Sequence, residues 1–368
     1  MPHLFEQLRL RGVTLPNRIA VSSMCQYSSS DGYATDWHFV HLGSRAVGGA
    51  GLVMTEAAAI TPEGRISPQD LGIWAGGHIA PLARIVRFIH EQGSNAGIQL
   101  AHAGRKGSTL RPWEGHIAIP KSEGGWRVVA PSGVAFAEGY ATPEELSEEG
   151  IREIVDAFRA ATGRALEAGF RVVEVHAAHG YLIHEFLSPL SNRRKDRYGG
   201  TFENRTRFIL EAVTAVRNAW PERFPLLVRI SATDWIEGGW DIEQSVELVR
   251  RLKDLGVDLV DCSSGGSSPF AQIPFGPGYQ VPFADRIRHE TGMLTGAVGM
   301  IVAPAQADHI LRSGQADIVL LAREMLRHPY WPLSAARELG QVQPWPAQYL
   351  RAAPERTPLR NSTPLDAH

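Results

Sequence analysis

The amino-acid sequence predicts an α/β protein, a closed (β/α)8 TIM barrel with a long insertion after the third strand. Three observations predict it. Eight β-rich runs alternate in order with amphipathic helical stretches. The strands lack strict apolar/polar alternation and so read as buried on both faces, and no Gly-x-Gly-x-x-Gly opens the first helix, which disfavours a doubly wound sheet.

The first pair is a strand over residues 18–24 and a helix over 36–47. Next come strand 51–56 with helix 79–92, strand 96–102 with helix 147–168, and strand 171–178 with helix 203–219. The second half repeats the pattern with 226–231 and 242–255, 259–263 and 283–290, 294–298 and 304–312, then 318–322 and 329–339. Gly, Pro or a capping residue bounds each run. Residues 103–145 exceed an ordinary βα loop, and the short extended piece at 126–130 predicts a hairpin there. Because it follows the third strand, this insertion should lie over the C-terminal face, where barrels build their active sites. Residues 1–345 read as a single barrel domain and 346–368 as an extension that contacts a second subunit, of which the Pro-, Thr- and Asn-rich stretch 355–368 is expected to be mobile.

A chain of 368 residues suits such a barrel, which runs from about 250 to beyond 400 residues as one domain. With 37 basic against 39 acidic residues and no long basic run, nothing favours a nucleic-acid partner. The two cysteines, Cys25 and Cys262, are too few and too far apart for a disulfide framework or a clustered-cysteine metal site, which fits a reducing cytoplasm. No segment reaches the ~20 apolar residues that span a bilayer, and no apolar run of signal-peptide length opens the chain.

Unusual polar residues collect at the predicted strand ends: Cys25 and Tyr27 after the first, Gln99 and His102 on the third, His176 and His179 on the fourth, Arg229 on the fifth and Arg323 past the eighth. In-strand polar groups left unpaired are costly, so several on separate strands need a shared partner. Two histidines three apart are as readily structural as functional. As functional groups, His176 and His179 could donate hydrogen bonds to one substrate oxygen while Tyr181 supplies a proton. A zinc site is a third reading, for which no first shell of carboxylates and histidines is evident. The glycine-containing segments at 295–300 and 320–325 end the seventh and eighth strands, where barrels often bind phosphate, and Arg323 would neutralise its charge. Gln99 and Arg229 would point inward. Arg229 could pair structurally with a carboxylate such as Glu174, or Gln99 and Arg229 could serve a flavin, the amide reading its pyrimidine edge and the guanidinium stabilising its reduced ring. At an effective dielectric near 20, charges about 4 Å apart interact by roughly 4 kcal/mol before desolvation.

The sequence closely resembles the Old Yellow Enzyme family, in particular the bacterial class of FMN ene-reductases with xenobiotic-reductase-like NADPH dehydrogenases. The likeness covers residues 4–349. Its carriers include Asn17-Arg-Ile, Met24-Cys-Gln-Tyr27, Asp36-Trp-His, Gly48-Gly-Ala-Gly, Gln99-Leu-Ala-His-Ala-Gly-Arg-Lys106 and Arg111-Pro-Trp. His176-Ala-Ala-His-Gly-Tyr181, Phe186-Leu-Ser-Pro, Asn192-Arg-Arg-Lys-Asp-Arg-Tyr-Gly-Gly and Glu203-Asn-Arg continue it. The resemblance implies non-covalent FMN, held by Ser23, Met24, Cys25, Ala58, Gln99, Arg229, Gly299, Met300, Ala322 and Arg323, with NADPH or NADH as hydride donor. It assigns His176 and His179 to the activating oxygen of an α,β-unsaturated carbonyl or related activated alkene, and Tyr181 to proton donation. Cys25 would tune the flavin, Tyr27 would offer a second hydroxyl, and Arg351 would reach substrate in a homodimer or tetramer. Two departures stand out: Ser23 occupies the place where proline commonly precedes the Met-Cys pair, and no Gly-Trp follows Arg351. A metal-dependent barrel hydrolase built on His176 and His179, and a non-catalytic flavin-binding module, are the rival classes. A flavin band, bleaching by NADPH and reoxidation by an enone separate the three.

Overall fold

The computed structural model describes residues 3–115, 117–355 and 357–360. Two short strands, β1 (Leu8–Leu10) and β2 (Val13–Leu15), pair antiparallel ahead of the barrel. The barrel follows with β3 (Ile19–Val21), α1 (Asp36–Val47), β4 (Leu52–Ala59), α2 (Ile79–Glu91) and β5 (Asn95–Ala101). The insertion holds β6 (Val129–Ala130) and β7 (Glu144–Glu145), and α3 (Glu148–Glu167) and β8 (Val172–Ala177) come after it. Next are α4 (Leu182–Leu187), α5 (Phe202–Ala219), β9 (Leu226–Ser231), α6 (Ile242–Asp254), β10 (Leu259–Ser263) and α7 (Val281–Thr291). β11 (Leu294–Ala297), α8 (Pro304–Arg312), β12 (Ile318–Leu321), α9 (Arg323–Arg327) and α10 (Trp331–Glu338) complete the order. Strands β3, β4, β5, β8, β9, β10, β11 and β12 close into the predicted parallel barrel.

Alternation along each strand divides the interior from the outer layer. Val173 and Val175, Val228 and Ile230, and Val260 and Cys262 join the large apolar layer beneath the helices. Val172, Leu227, Leu259, Ile318 and Leu320 belong instead to a smaller core that also contains Leu8, Leu10, Val13 and Leu15. The N-terminal hairpin therefore plugs the bottom of the barrel. Higher in the barrel, on β5, β8, β9 and β10, the inward positions become Gln99, Glu174, His176, Arg229, Asp261 and Ser263, all buried. Polarity concentrates at the C-terminal mouth.

Several predicted elements differ from those observed. The strand expected over 18–24 stops at Val21, so Ser23 to Tyr27 form a loop at the rim. The expected helix over 329–339 is shorter and is preceded by α9. No hairpin forms at 126–130: β6 pairs with β7 in parallel, across an intervening stretch that a two-stranded turn cannot provide. β4 extends to Ala59 through a register shift between Met54 and Ala57. Part of the stretch expected to be mobile is docked, since Trp345 bridges to Leu359 and the Arg360 guanidinium donates to the carbonyls of Ala46, Val47 and Gln92, each at 3.2 Å. Those carbonyls lie at the C-terminal ends of α1 and α2, where a cation is favoured. Residues 361–368 lie outside the described residues.

Candidate active site

At the end of β8 the chain turns over the barrel rim. His179 has φ 60° and Gly180 φ 71°, both left-handed, and Tyr181 then opens α4. Two backbones touch here: a Cβ on Gly180 would lie 2.0 Å from the Gly266 carbonyl oxygen, and one on Gly266 would lie 2.6 Å from the His179 backbone. The His179 N–H donates to Ser231 Oγ at 2.9 Å, and its Nε2 lies 2.7 Å from Ser263 Oγ. The turn brings the His176 and His179 rings to 5.2 Å between centroids, with the Tyr181 ring 5.3 Å from His176.

Burial, reinforced by the charge of Arg229, holds both imidazoles far below the usual histidine pKa. They are neutral, so each has one N–H to donate. The Nδ1 of His176 is buried without a hydrogen-bond partner. Burial raises the Tyr181 phenol well above its ordinary value, helped by Cys25, and it stays protonated. Lys106 packs beside this group: its ammonium donates to the carbonyls of His179 and Gly266 at 2.9 and 3.1 Å and stands 4.9 Å from the Tyr181 ring centre.

On the opposite rim, Glu56 fixes the loop after β3. Its Oε2 accepts the Gln26 N–H at 2.9 Å, and its Oε1 lies 2.9 Å from His38 Nε2. This anchors Cys25 and Tyr27 on either side of Gln26. Burial, then Asp70 and Glu56, pushes the Cys25 thiol well above its normal range, so it is a neutral thiol rather than a thiolate. Tyr27 packs edge-on against Trp113, with centroids 5.7 Å apart, so the insertion does reach the mouth. The Ser23 Oγ is buried with no partner, and Met24 leans on the outer core. The methyl of Ala58 packs in the layer beneath the helices, while Ala57 and Ala59 face a small cavity shared with His176 and Tyr181. The register shift in β4 turns these neighbours inward, leaving Ala58 only its main chain to offer a cofactor.

The floor is a set of paired polar groups. Gln99 Nε2 donates to Glu174 Oε1 at 2.7 Å, whereas Arg229 Nε lies 3.1 Å from Asp261 Oδ2. Arg229 thus pairs with a carboxylate, but with Asp261 rather than Glu174, because Asp261 stands directly across from it between β9 and β10. From this floor a cleft of about 270 Å³ extends past Ser263 and Gln280 to Gly299, Met300, Ala322 and Arg323. Gly299 has φ 117°, and a Cβ there would lie 2.9 Å from Gln280 Nε2. Met300 is exposed, and Arg323 opens α9 with no carboxylate partner among the described residues. Arg351 is exposed on the 3-10 turn Ala347–Ala352 and lines neither this cleft nor the small cavity.

Ser263, Glu56 and Asp261 are site residues that the sequence pattern does not single out. Ser263 carried a signal, as a polar residue ending a predicted strand. Glu56 and Asp261 looked like ordinary strand carboxylates until their partners were visible. Lys106 ends the Gln99–Lys106 stretch, and its contact with the His179 turn appears only in the fold.

The donor set fits FMN. An amide and a guanidinium suit a pyrimidine edge, an unopposed arginine beside Gly299 suits a phosphate, and Ser23 Oγ and His176 Nδ1 are buried polar atoms in want of partners. A closed parallel barrel so equipped belongs to the flavin oxidoreductases. Residues 3–341 match the model of the NADH:flavin oxidoreductase / NADH oxidase family, and the chain belongs to that family. It is 49% identical over 350 residues to an NADPH dehydrogenase of Geobacillus sp. (strain WCH70), covering 95% of this chain and 98% of that one. Its fold is similar to that of morphinone reductase, with a TM-score of 0.77, 28% identity, and coverage of 95% of this chain and 93% of that one. An old yellow enzyme homologue from Zymomonas mobilis gives a TM-score of 0.77 at 26% identity, covering 92% and 93%. The protein is thus an NAD(P)H-dependent oxidoreductase of old yellow enzyme type with FMN as cofactor. No helix among the described residues is long and apolar enough to cross a membrane.

Proposed function

We propose that the enzyme reduces the C=C bond of α,β-unsaturated carbonyl compounds and related activated alkenes, in a ping-pong cycle in which NADPH or NADH and then the alkene use the same mouth. The observation that carries this reading is the pair of neutral imidazoles 5.2 Å apart beside a protonated tyrosine. Bound FMN would supply the hydride chemistry that links a nicotinamide donor to the β-carbon of the alkene. The chain's residues do the rest. His176 and His179 donate hydrogen bonds to the carbonyl oxygen, whose charge grows as the enolate develops, and one such donor is worth roughly 3 to 4 kcal/mol in other enzymes. Tyr181 delivers its proton to the α-carbon, and Tyr27 offers a second hydroxyl at the substrate oxygen. Cys25 acts as a polarisable neutral thiol beside the cofactor. Gln99, Arg229 and the main chain near Ser23, Met24 and Ala58 would hold the ring, while Gly299, Met300, Ala322 and Arg323 would hold the phosphate.

We further read residues 1–345 as one catalytic unit of a cytoplasmic homo-oligomer, in which the exposed Arg351 of one subunit reaches the mouth of the next. The purified protein tests the central reading. Yellow holoenzyme should bleach anaerobically with NADPH, regain its colour with cyclohexenone and yield cyclohexanone. Reoxidation by dioxygen alone, with no saturated ketone formed, would overturn it.

A further inference from the structure

Two neighbouring rungs of the barrel interior carry an unequal set of charges. Gln99 and Glu174 face each other across β5 and β8. Two positions higher, Arg229 stands across from His176 on β8 and from Asp261 on β10. Glu174, Arg229 and Asp261 are 1%, 5% and 0% exposed, so one guanidinium meets two carboxyl groups out of reach of water. His176 on the same strand is neutral, Gln99 carries no charge, and β11 sets Gly296 across from Asp261. Were both acids ionised, the interior would hold an uncompensated anion, which burial strongly disfavours.

Geometry decides which acid keeps a proton. Asp261 Oδ2 lies 3.1 Å from Arg229 Nε, a charge contact although not an aligned hydrogen bond. Glu174 is engaged by an uncharged amide, that of Gln99 at 2.7 Å, and its Oε2 has no partner. We propose that Glu174 is stored as a neutral carboxylic acid and is the positioning residue of the cofactor floor: its Oε1 accepts from the Gln99 amide, and its neutrality leaves Asp261 as the one anion set against Arg229. Burial pushes both carboxyls up; at Glu174 the charge of Asp261 adds to it and the group reaches about 8, whereas at Asp261 the neighbouring Arg229 opposes it, so the 3.1 Å contact is what separates the two. The charge of Arg229 is then balanced once instead of twice, which keeps the floor neutral rather than negative where a flavin ring gains electron density on reduction.

Isosteric variants of the FMN holoenzyme test the proposal without reference to any alkene substrate. Glu174→Gln exchanges one uncharged group for another, so the ratio of affinities for reduced and oxidised FMN should stay within about twofold of the parent. Asp261→Asn removes an anion and should shift that ratio toward reduced FMN by about tenfold or more, read as a raised flavin midpoint potential. Infrared difference spectra give a second readout. The C=O stretch of a protonated carboxyl group, recognised by its shift in D2O, should be lost in Glu174→Gln and kept in Asp261→Asn. If Glu174→Gln loses no such band, or raises the potential as Asp261→Asn does, Glu174 is ionised and the proposal fails. The infrared comparison of parent and Glu174→Gln decides the matter even if Asp261→Asn does not fold.

Discussion

Cys25, Arg229 and Arg323 show how surroundings select a side chain's use. The Cys25 thiol is kept protonated by burial and two nearby carboxylates, which makes it a soft neighbour for a ring rather than a nucleophile. Cys25→Ser should shift the flavin potential and change both half-reaction rates, as redox titration and rapid mixing would show. A cysteinyl adduct detected by mass spectrometry during turnover would contradict this role. Arg229 is paired with buried Asp261, so Arg229→Ala strands an anion and should cost about 3 to 5 kcal/mol in denaturant unfolding, as well as loosening FMN. Arg323 is exposed and has no carboxylate partner among the described residues. Arg323→Ala should therefore leave stability unchanged and weaken FMN roughly ten- to hundredfold by equilibrium titration, the worth of a charge-assisted hydrogen bond. Equal FMN affinity in the variant would place the phosphate elsewhere.

At the scale of elements, periodicity revealed what repeats and missed what bends. Eight barrel strands and the helices between them were legible because each strand buries two faces and each helix one. The plug formed by β1 and β2 escaped notice, since Leu8, Leu10, Val13 and Leu15 make sense only against the barrel's open bottom. The inward turn of Ala57 and Ala59 depends on a register shift that no local pattern announces. Among the site residues, His176, His179, Tyr181, Gln99 and Arg229 were legible as polar groups at strand ends. Asp261, which pairs with Arg229, and Glu56, which holds the loop after β3 through Gln26 and His38, were not, because each meets its partner only across elements distant in sequence. The reversal after β8 yields a prediction at this scale. Gly180→Ala would force a Cβ to 2.0 Å from the Gly266 carbonyl at φ 71°, so it should cost on the order of 1 to 3 kcal/mol. It should also raise KM for enones by displacing His179. A variant with parental stability and KM would show that the two backbones can part freely.

For the whole molecule, buried ionisable groups set an opposing pair of pH dependences. Burial lowers His41 and His102 to about 3, His90 to about 4, and His176 and His179 well below the usual value. The unfolded chain therefore binds more protons below about pH 6.5, and stability falls as pH drops through that value. Burial raises Asp70 to about 7 and Glu174 and Glu185 to about 8. Their folded-state protons are retained where the unfolded chain has already released them, so this contribution is full at low pH and lost as pH rises to about 8. The melting temperature of holoenzyme in saturating FMN should therefore be highest between about pH 6 and 7 and fall on both sides. A steady rise from about pH 5 to about pH 8 would contradict the assignment of these groups. The same burial keeps Tyr181 protonated at neutral pH, and that proton leads to the measurement that bears most directly on the proposed reaction. Rapid mixing of parent and Tyr181→Phe, first with NADPH and then, once reduced, with cyclohexenone, separates the two half-reactions. The variant should bleach at the parental rate and reoxidise about 10² to 10⁴-fold more slowly, the usual worth of general-acid catalysis. Reoxidation by cyclohexenone at the parental rate would contradict the account.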